Sequence, residues 1–210
     1  MDSNDGNLIE LSGSNASLSP TAKRARANLV SATLESLMTE GADGCSVRRI
    51  ADRAGVSMGV INYHYPSIQN LVAEAYSELA LSLLHAAADA SAPFADDPRL
   101  QISRFIEHIF GPHVMDRRVL RAWIVFWGMI ETSTPVRLAH EESSHASWTY
   151  LQSIFQRLHE QRPVRPSPRL AAIGLSAMMD GLWLELCLQP DNFTPVEAIR
   201  LCETWIDAIW

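Results

Sequence analysis

From residue 21 onward, apolar residues recur every three or four positions in stretches separated by short runs of Pro, Gly, Asp and Ser. That spacing is the period of an amphipathic helix, and no stretch shows the strict alternation of a strand. Helices are expected over 21–40, over two short segments within 46–65, and over 67–92, 98–110, 116–131, 134–161, 167–188 and 195–210. Pro93 to Pro98, Gly111-Pro112, Pro135, the Pro163/Pro166/Pro168 cluster and Pro190 to Pro195 supply the breaks. The fold class this predicts is all-α, about nine helices, with a three-helix head over 21–66 and a helical body over 67–210. Residues 1–20, rich in Ser, Asn and Asp, read as a disordered tail. The helix over 67–92 sets Leu71, Ala75, Leu79 and Leu83 on one face and joins head to body.

Residues 46–65 carry the first chemistry. Ser46 and Ser57 each stand where a hydroxyl can cap a helix start, eleven residues apart, and Gly55 between them offers the positive φ of a tight connection. Ile50 and Ala51 face inward from the first helix, Val60 and Ile61 from the second, and Ala51 is small enough for close approach. This is the plan of a DNA-reading helix-turn-helix. Its outward residues are Ser57, Met58, Gly59, Asn62 and Tyr63, with Tyr63 and His64 placed for phosphate oxygens. Lys23, Arg24, Arg26, Ser46 and Arg48 complete the DNA-facing candidates. The net charge of −7 conceals a gradient, because residues 21–66 hold six bases against four acids while the rest of the chain is acidic.

The head resembles the TetR family of bacterial one-component repressors, and the stretch Tyr63-His64-Tyr65-Pro66-Ser67-Ile68-Gln69-Asn70-Leu71 resembles that family's aromatic pair, turn and new helix. Family members usually carry a phosphate-holding lysine where this chain has Ile68. The resemblance implies a homodimer on a palindromic operator of double-stranded DNA, released by a small effector. Within the body, Arg121 to Met129 and Met178 to Glu185 resemble the BetI branch, linked to choline and glycine betaine metabolism.

These two segments also have a chemical reading of their own. Trp123, Phe126, Trp127 and Ile130 share a face at i, i+3, i+4 and i+7, and Asp180 lies close to Trp183 in an otherwise apolar helix. An aromatic stripe at this spacing serves a core, but rings beside a carboxylate also hold a quaternary ammonium ion, each ring contributing about 0.5–2 kcal/mol. Trp123, Phe126, Trp127 and Trp183 are the candidate walls, and Asp180 or Glu131 the candidate charge. Asp180 must otherwise be paired, with Arg121 or an indole N–H, because an isolated buried charge is costly. A polyamine, a lipophilic cation or an uncharged effector remains open, as does a helical interaction protein that does not bind DNA.

The helices over 167–188 and 195–210 are the expected dimer interface. The first is rich in Ala and Gly, and the second, with Ile199, Trp205, Ile206, Ile209 and Trp210, carries more apolar surface than a terminal helix would leave in water. Three cysteines at no metal-like spacing suggest free thiols in a reducing cytoplasm. His140 and His145, at i and i+5, do not share a helix face, so no metal is expected. No phosphate loop, nucleophile elbow or hydrolytic trio occurs, which argues against an enzyme and against a bound cofactor. Asp180 and Glu185 interrupt the longest apolar run, so no membrane span is expected.

Overall fold

The computed structural model describes residues 19–163 and 165–210. The expected tail lies outside the described residues, apart from Ser19 and Pro20. Among the described residues the chain forms nine α-helices and no strand: α1 (Pro20–Glu40), α2 (Val47–Ala54), α3 (Met58–His64), α4 (Ile68–Ser91), α5 (Pro98–Ile109), α6 (Arg117–Ile130), α7 (Thr134–Gln161), α8 (Pro168–Leu188) and α9 (Pro195–Ile209). Most begin at a polar cap. The side chains of Ser19, Ser46, Ser67, Asp97 and Asp116 each accept a first-turn backbone N–H, and Thr194 and Glu197 form a reciprocal capping box. Ser57 precedes α3 but makes no such bond, which leaves its hydroxyl free.

The head packs α1, α2, α3 and the first turns of α4 around Leu29, Leu37, Ile50, Ile61, Leu71 and Val72. Gly55 ends α2 in the left-handed region at φ 68° and ψ 32°, turning the chain toward α3. Gly44 meets a different demand: a Cβ there would lie 2.4 Å from the Ser36 carbonyl oxygen, whose residue also donates its hydroxyl to the Gly44 carbonyl at 3.0 Å. Gly44→Ala is therefore expected to destabilise the head by about 2 kcal/mol, a fall in Tm of roughly 4–8 °C readable by circular dichroism.

The head's core does not stop at residue 66. Tyr76 and Leu79 of α4, Ala122 and Phe126 of α6, and Val136 and Ala139 of α7 belong to it, so the body is anchored in the head. Polar ties reinforce the junction. Arg118 pairs with Glu35 at 2.6 Å, and Arg121 donates to the carbonyls of Met38 and Thr39 at 3.2 and 2.7 Å, capping the end of α1. The body's own core collects Leu84, Ile102, Phe105, Leu151, Phe155 and Leu175 from α4, α5, α7 and α8.

By length and composition α8 could cross a membrane, with a mean hydropathy of 1.4 over its most apolar window. The sequence expectation that its acids exclude this was too strict. In the fold its inner face, including Ala171, Ala172, Leu175 and Met179, packs into the body core, while Leu170, Ala177, Gly181 and Leu188 face outward.

Candidate functional site

Where α4, α5, α6, α7 and α8 converge, they leave a cavity of about 150 Å³. Tyr76 enters from α4, Trp123 and Trp127 from α6, His140 and Trp148 from α7, and Asp180 and Trp183 from α8. The rings lock one another in place. Trp123 stands edge-on to Tyr76 at 5.2 Å and to Trp183 at 6.5 Å, and lies tilted against Trp127 at 5.9 Å between centroids. The Trp183 indole N–H donates to the Ile109 carbonyl at 3.3 Å, and the Tyr76 hydroxyl shares a 2.8 Å hydrogen bond with His140 Nδ1.

Asp180 is the one acid among the cavity-lining residues, and no Lys or Arg lines it. It has no ion pair or hydrogen bond among the described residues. By accessible surface the residue is exposed, beside Ala177 and Gly181 on the open side of the cavity, yet the protein crowded around its carboxyl still desolvates it. That desolvation raises its pKa to about 6. Burial, and then the neighbouring Asp180 charge, push the Tyr76 hydroxyl well above its ordinary value, and burial lowers His140. An unpaired carboxyl walled by electron-rich rings is the chemistry of a cation site.

The candidates named from sequence divide here. Trp123, Trp127, Asp180 and Trp183 line the cavity, whereas Phe126 and Glu131 do not. Phe126 has no accessible surface and belongs to the head core, because α6 lies between two cores and one aromatic stripe serves both. Glu131 is the exposed residue that ends α6. Arg121, considered as a partner for Asp180, is committed to the end of α1. Tyr76, His140 and Trp148 escaped sequence reasoning. Their signal was present in the stripes Tyr76/Leu79/Ala80/Leu83 on α4 and His140/Ser144/Ser147/Leu151 on α7, but nothing marked these faces as turned toward a void.

The second candidate surface is α3. Met58 is 53% and Tyr63 84% exposed, and Gly59, Asn62 and Ser57 also face solvent. Lys23 and Arg24 are exposed and form no ion pair among the described residues. Arg48 is exposed near Asp52, at 4.0 Å, and Ser46 is occupied as the cap of α2. Arg26 departs from its expected role. Its guanidinium pairs with Glu74 of α4, donates to the carbonyl of His64 at 3.2 Å and lies 4.4 Å from the centroid of the Tyr65 ring. It therefore ties the end of α3 to α4 rather than facing outward. Ile68 is half-buried against the head core, an apolar use of the position where a lysine was expected.

A helix-turn-helix head anchored to a helical body with a small internal cavity is the build of a one-component sensor. Comparison with known proteins agrees. Residues 29–75 match the bacterial regulatory proteins of the tetR family, and residues 98–210 match the C-terminal region of the BetI-type transcriptional repressors. The chain belongs to the TetR family, in its BetI-type branch, and is a transcriptional regulator rather than an enzyme. It is 29% identical to the HTH-type transcriptional regulator BetI 1 of Chromohalobacter salexigens, covering 87% of this chain and 88% of that protein. A solved transcriptional regulator of Pseudomonas aeruginosa PAO1 is similar at 35% identity with a TM-score of 0.77, covering 91% and 92% of the two chains. A transcriptional regulator from Saccharomonospora viridis, solved in complex with choline, shares the fold at 18% identity with a TM-score of 0.71, covering 88% of this chain and 96% of that one.

Proposed function

We propose that the protein is a cytoplasmic homodimeric repressor that holds a palindromic operator and leaves it when a small quaternary amine enters the body cavity. The observation that carries the effector reading is the unpaired Asp180 among Tyr76, Trp123, Trp127 and Trp183. Size narrows the choice, since an engineered cavity of about 150 Å³ takes a molecule of benzene's dimensions. That suits choline or betaine aldehyde and disfavours an extended polyamine or a bulky lipophilic cation. The choline bound to the Saccharomonospora viridis protein is consistent with this reading.

Dimerisation through α8 and α9 is supported by their outward faces, where Leu170, Leu188, Val196 and Leu201 are 49–65% exposed and Ala177 and Gly181 allow close approach. Two copies of α3 would then read half-sites about 34–36 Å apart. Asn62 is suited to adenine, Ser57, Tyr63 and His64 to the backbone, and Lys23 and Arg24 to phosphates. The effector signal would pass along α4, where Tyr76 of the cavity stands two residues from Glu74, the partner of Arg26. An effector that prefers the wrongly spaced state by about 1.4 kcal/mol shifts the equilibrium tenfold.

Lys23 and Arg26 then have separable effects. Lys23→Ala is expected to reduce the slope of log affinity against log salt by about one phosphate contact with no change in Tm. Arg26→Ala is expected to cost about 2 kcal/mol of stability, because it leaves Glu74 unpaired. The functional test is fluorescence anisotropy of DNA from immediately upstream of the protein's own coding sequence, with and without choline. Tight binding weakened by choline supports both halves of the reading. Tight binding indifferent to choline removes the effector assignment, and absence of salt-dependent binding favours a helical interaction protein instead.

A further inference from the structure

Asp180 sits on a boundary of α8. To one side of it Ser176, Met179 and Trp183 line the cavity, and to the other Ala177 and Gly181 face outward. Trp148 of α7 lines the same cavity and is 40% exposed, so the cavity is open where Asp180 and Trp148 reach its edge. The outward face of α8 is unfinished in a single chain. A Cβ at Gly174 would lie 3.1 Å from the Trp205 ring, so the packing of α9 accounts for that glycine, whereas a Cβ at Gly181 would meet nothing within 4 Å. Glycine weakens a helix relative to alanine, so a helical position with free space keeps it at a loss unless something from outside the chain comes close. Leu170, Ala177, Gly181 and Leu188 fall at i, i+7, i+11 and i+18, a single exposed stripe with small residues at its middle and apolar ones at its ends.

We infer that a second copy of this chain closes the cavity, laying its own α8–α9 face along this stripe and shutting Asp180 and Trp148 away from bulk water. The occupant is a copy of the chain because the stripe belongs to the α8–α9 surface of the proposed dimer, and a two-fold contact uses the same patch on both partners. A regulator with one short reading helix also needs a second copy to span two half-sites. The effector site is then incomplete in one chain. Its carboxylate attracts a cation weakly while water screens it, and more strongly once the partner excludes that water. Effector binding and pairing are thereby coupled, each strengthening the other by the same factor. The inference rests on the dimer and the cation reading proposed above, and adds that the second depends on the first.

Leu170→Arg and, separately, Leu201→Arg place a charge at exposed positions of the full chain, the first roughly 16 Å along α8 from Gly181 and so clear of the cavity mouth. Neither leucine belongs to a core, so each variant is expected to keep its circular dichroism spectrum and to sediment as a monomer. Isothermal titration calorimetry with choline is then expected to show about tenfold weaker binding by the monomers than by the wild type. Acrylamide quenching of tryptophan fluorescence needs no ligand. The monomers are expected to be quenched more strongly than the wild type, and part of that excess is expected to disappear when Trp148→Phe is added. Variants that both remain dimeric remove the α8–α9 face as the interface and the closure with it. Monomers that bind choline as tightly as the wild type, or an excess of quenching that Trp148→Phe leaves unchanged, overturn closure by a second copy while the cation reading stands. Choline binding by none of these proteins overturns the cation reading, and the quenching comparison then decides closure by itself.

Discussion

Asp180→Asn is expected to weaken choline binding roughly thirtyfold while raising the Tm of the ligand-free protein at neutral pH. Two unit charges 4 Å apart attract by about 4 kcal/mol at an effective dielectric of about 20, and solvent access at the cavity mouth reduces this to about 2 kcal/mol. The opposite sign of the stability effect has the same origin. Above pH 6 the wild-type protein holds a desolvated carboxylate with no partner, and asparagine removes that burden without changing the shape of the side chain. A variant that lost both affinity and Tm would show instead that Asp180 supports the fold.

The pH dependence follows from the same group. Its folded pKa of about 6 lies above the ordinary carboxylate value of 3.8, so the ligand-free native state takes up the proton more readily than the unfolded chain. The associated stability is present below the unfolded value and is lost as pH rises through about 6. A permanently charged amine favours the ionised carboxylate and reverses the trend. Choline affinity is therefore expected to rise between pH 5 and about 7, with proton release on binding near pH 6, and to level off above it. Calorimetry in buffers of different ionisation enthalpy reads the released proton directly, and a flat profile would remove Asp180 from the site.

The second large effect is expected on the DNA face. Asn62→Ala combined with Tyr63→Ala should lower operator affinity about a hundredfold or more, at about 1–3 kcal/mol for a base contact together with a lost backbone contact. Both side chains are exposed, and neither belongs to the head core, so the Tm and the dimer should be unchanged. Operator binding that survived the double substitution would exclude α3 as the reading helix. Loss of binding together with loss of the dimer would point to a misfolded protein.

The helices and their limits were legible because both are local. Periodic apolar positions, a capping Ser, Asp or Thr, and Pro at a first turn act within four residues, so the chain itself states where α1 to α9 begin. Gly55 announced its left-handed turn for the same reason, and two short capped helices eleven residues apart, followed by the aromatic stretch from Tyr63 to Tyr65, carried the resemblance to the family. The aromatic segment of α6 and the acid of α8 were visible as unusual residues in apolar surroundings.

Which way each side chain turned was settled elsewhere. Trp123 and Phe126 lie on one stripe, yet one borders the cavity and the other fills the head core, because α6 is wedged between two cores and the crossing of its neighbours divides the stripe. Arg26 looked like its neighbours Lys23 and Arg24 until α4 brought Glu74 to it across 48 positions of chain. Tyr76 and Trp148 carry no local mark of a binding role, since a void exists only where five helices fail to meet. Period and capping are properties of a segment, so the sequence alone determined the helices and the class of protein. Cavities and ion pairs depend on the relative placement of segments far apart in the chain, and only the tertiary structure decided them.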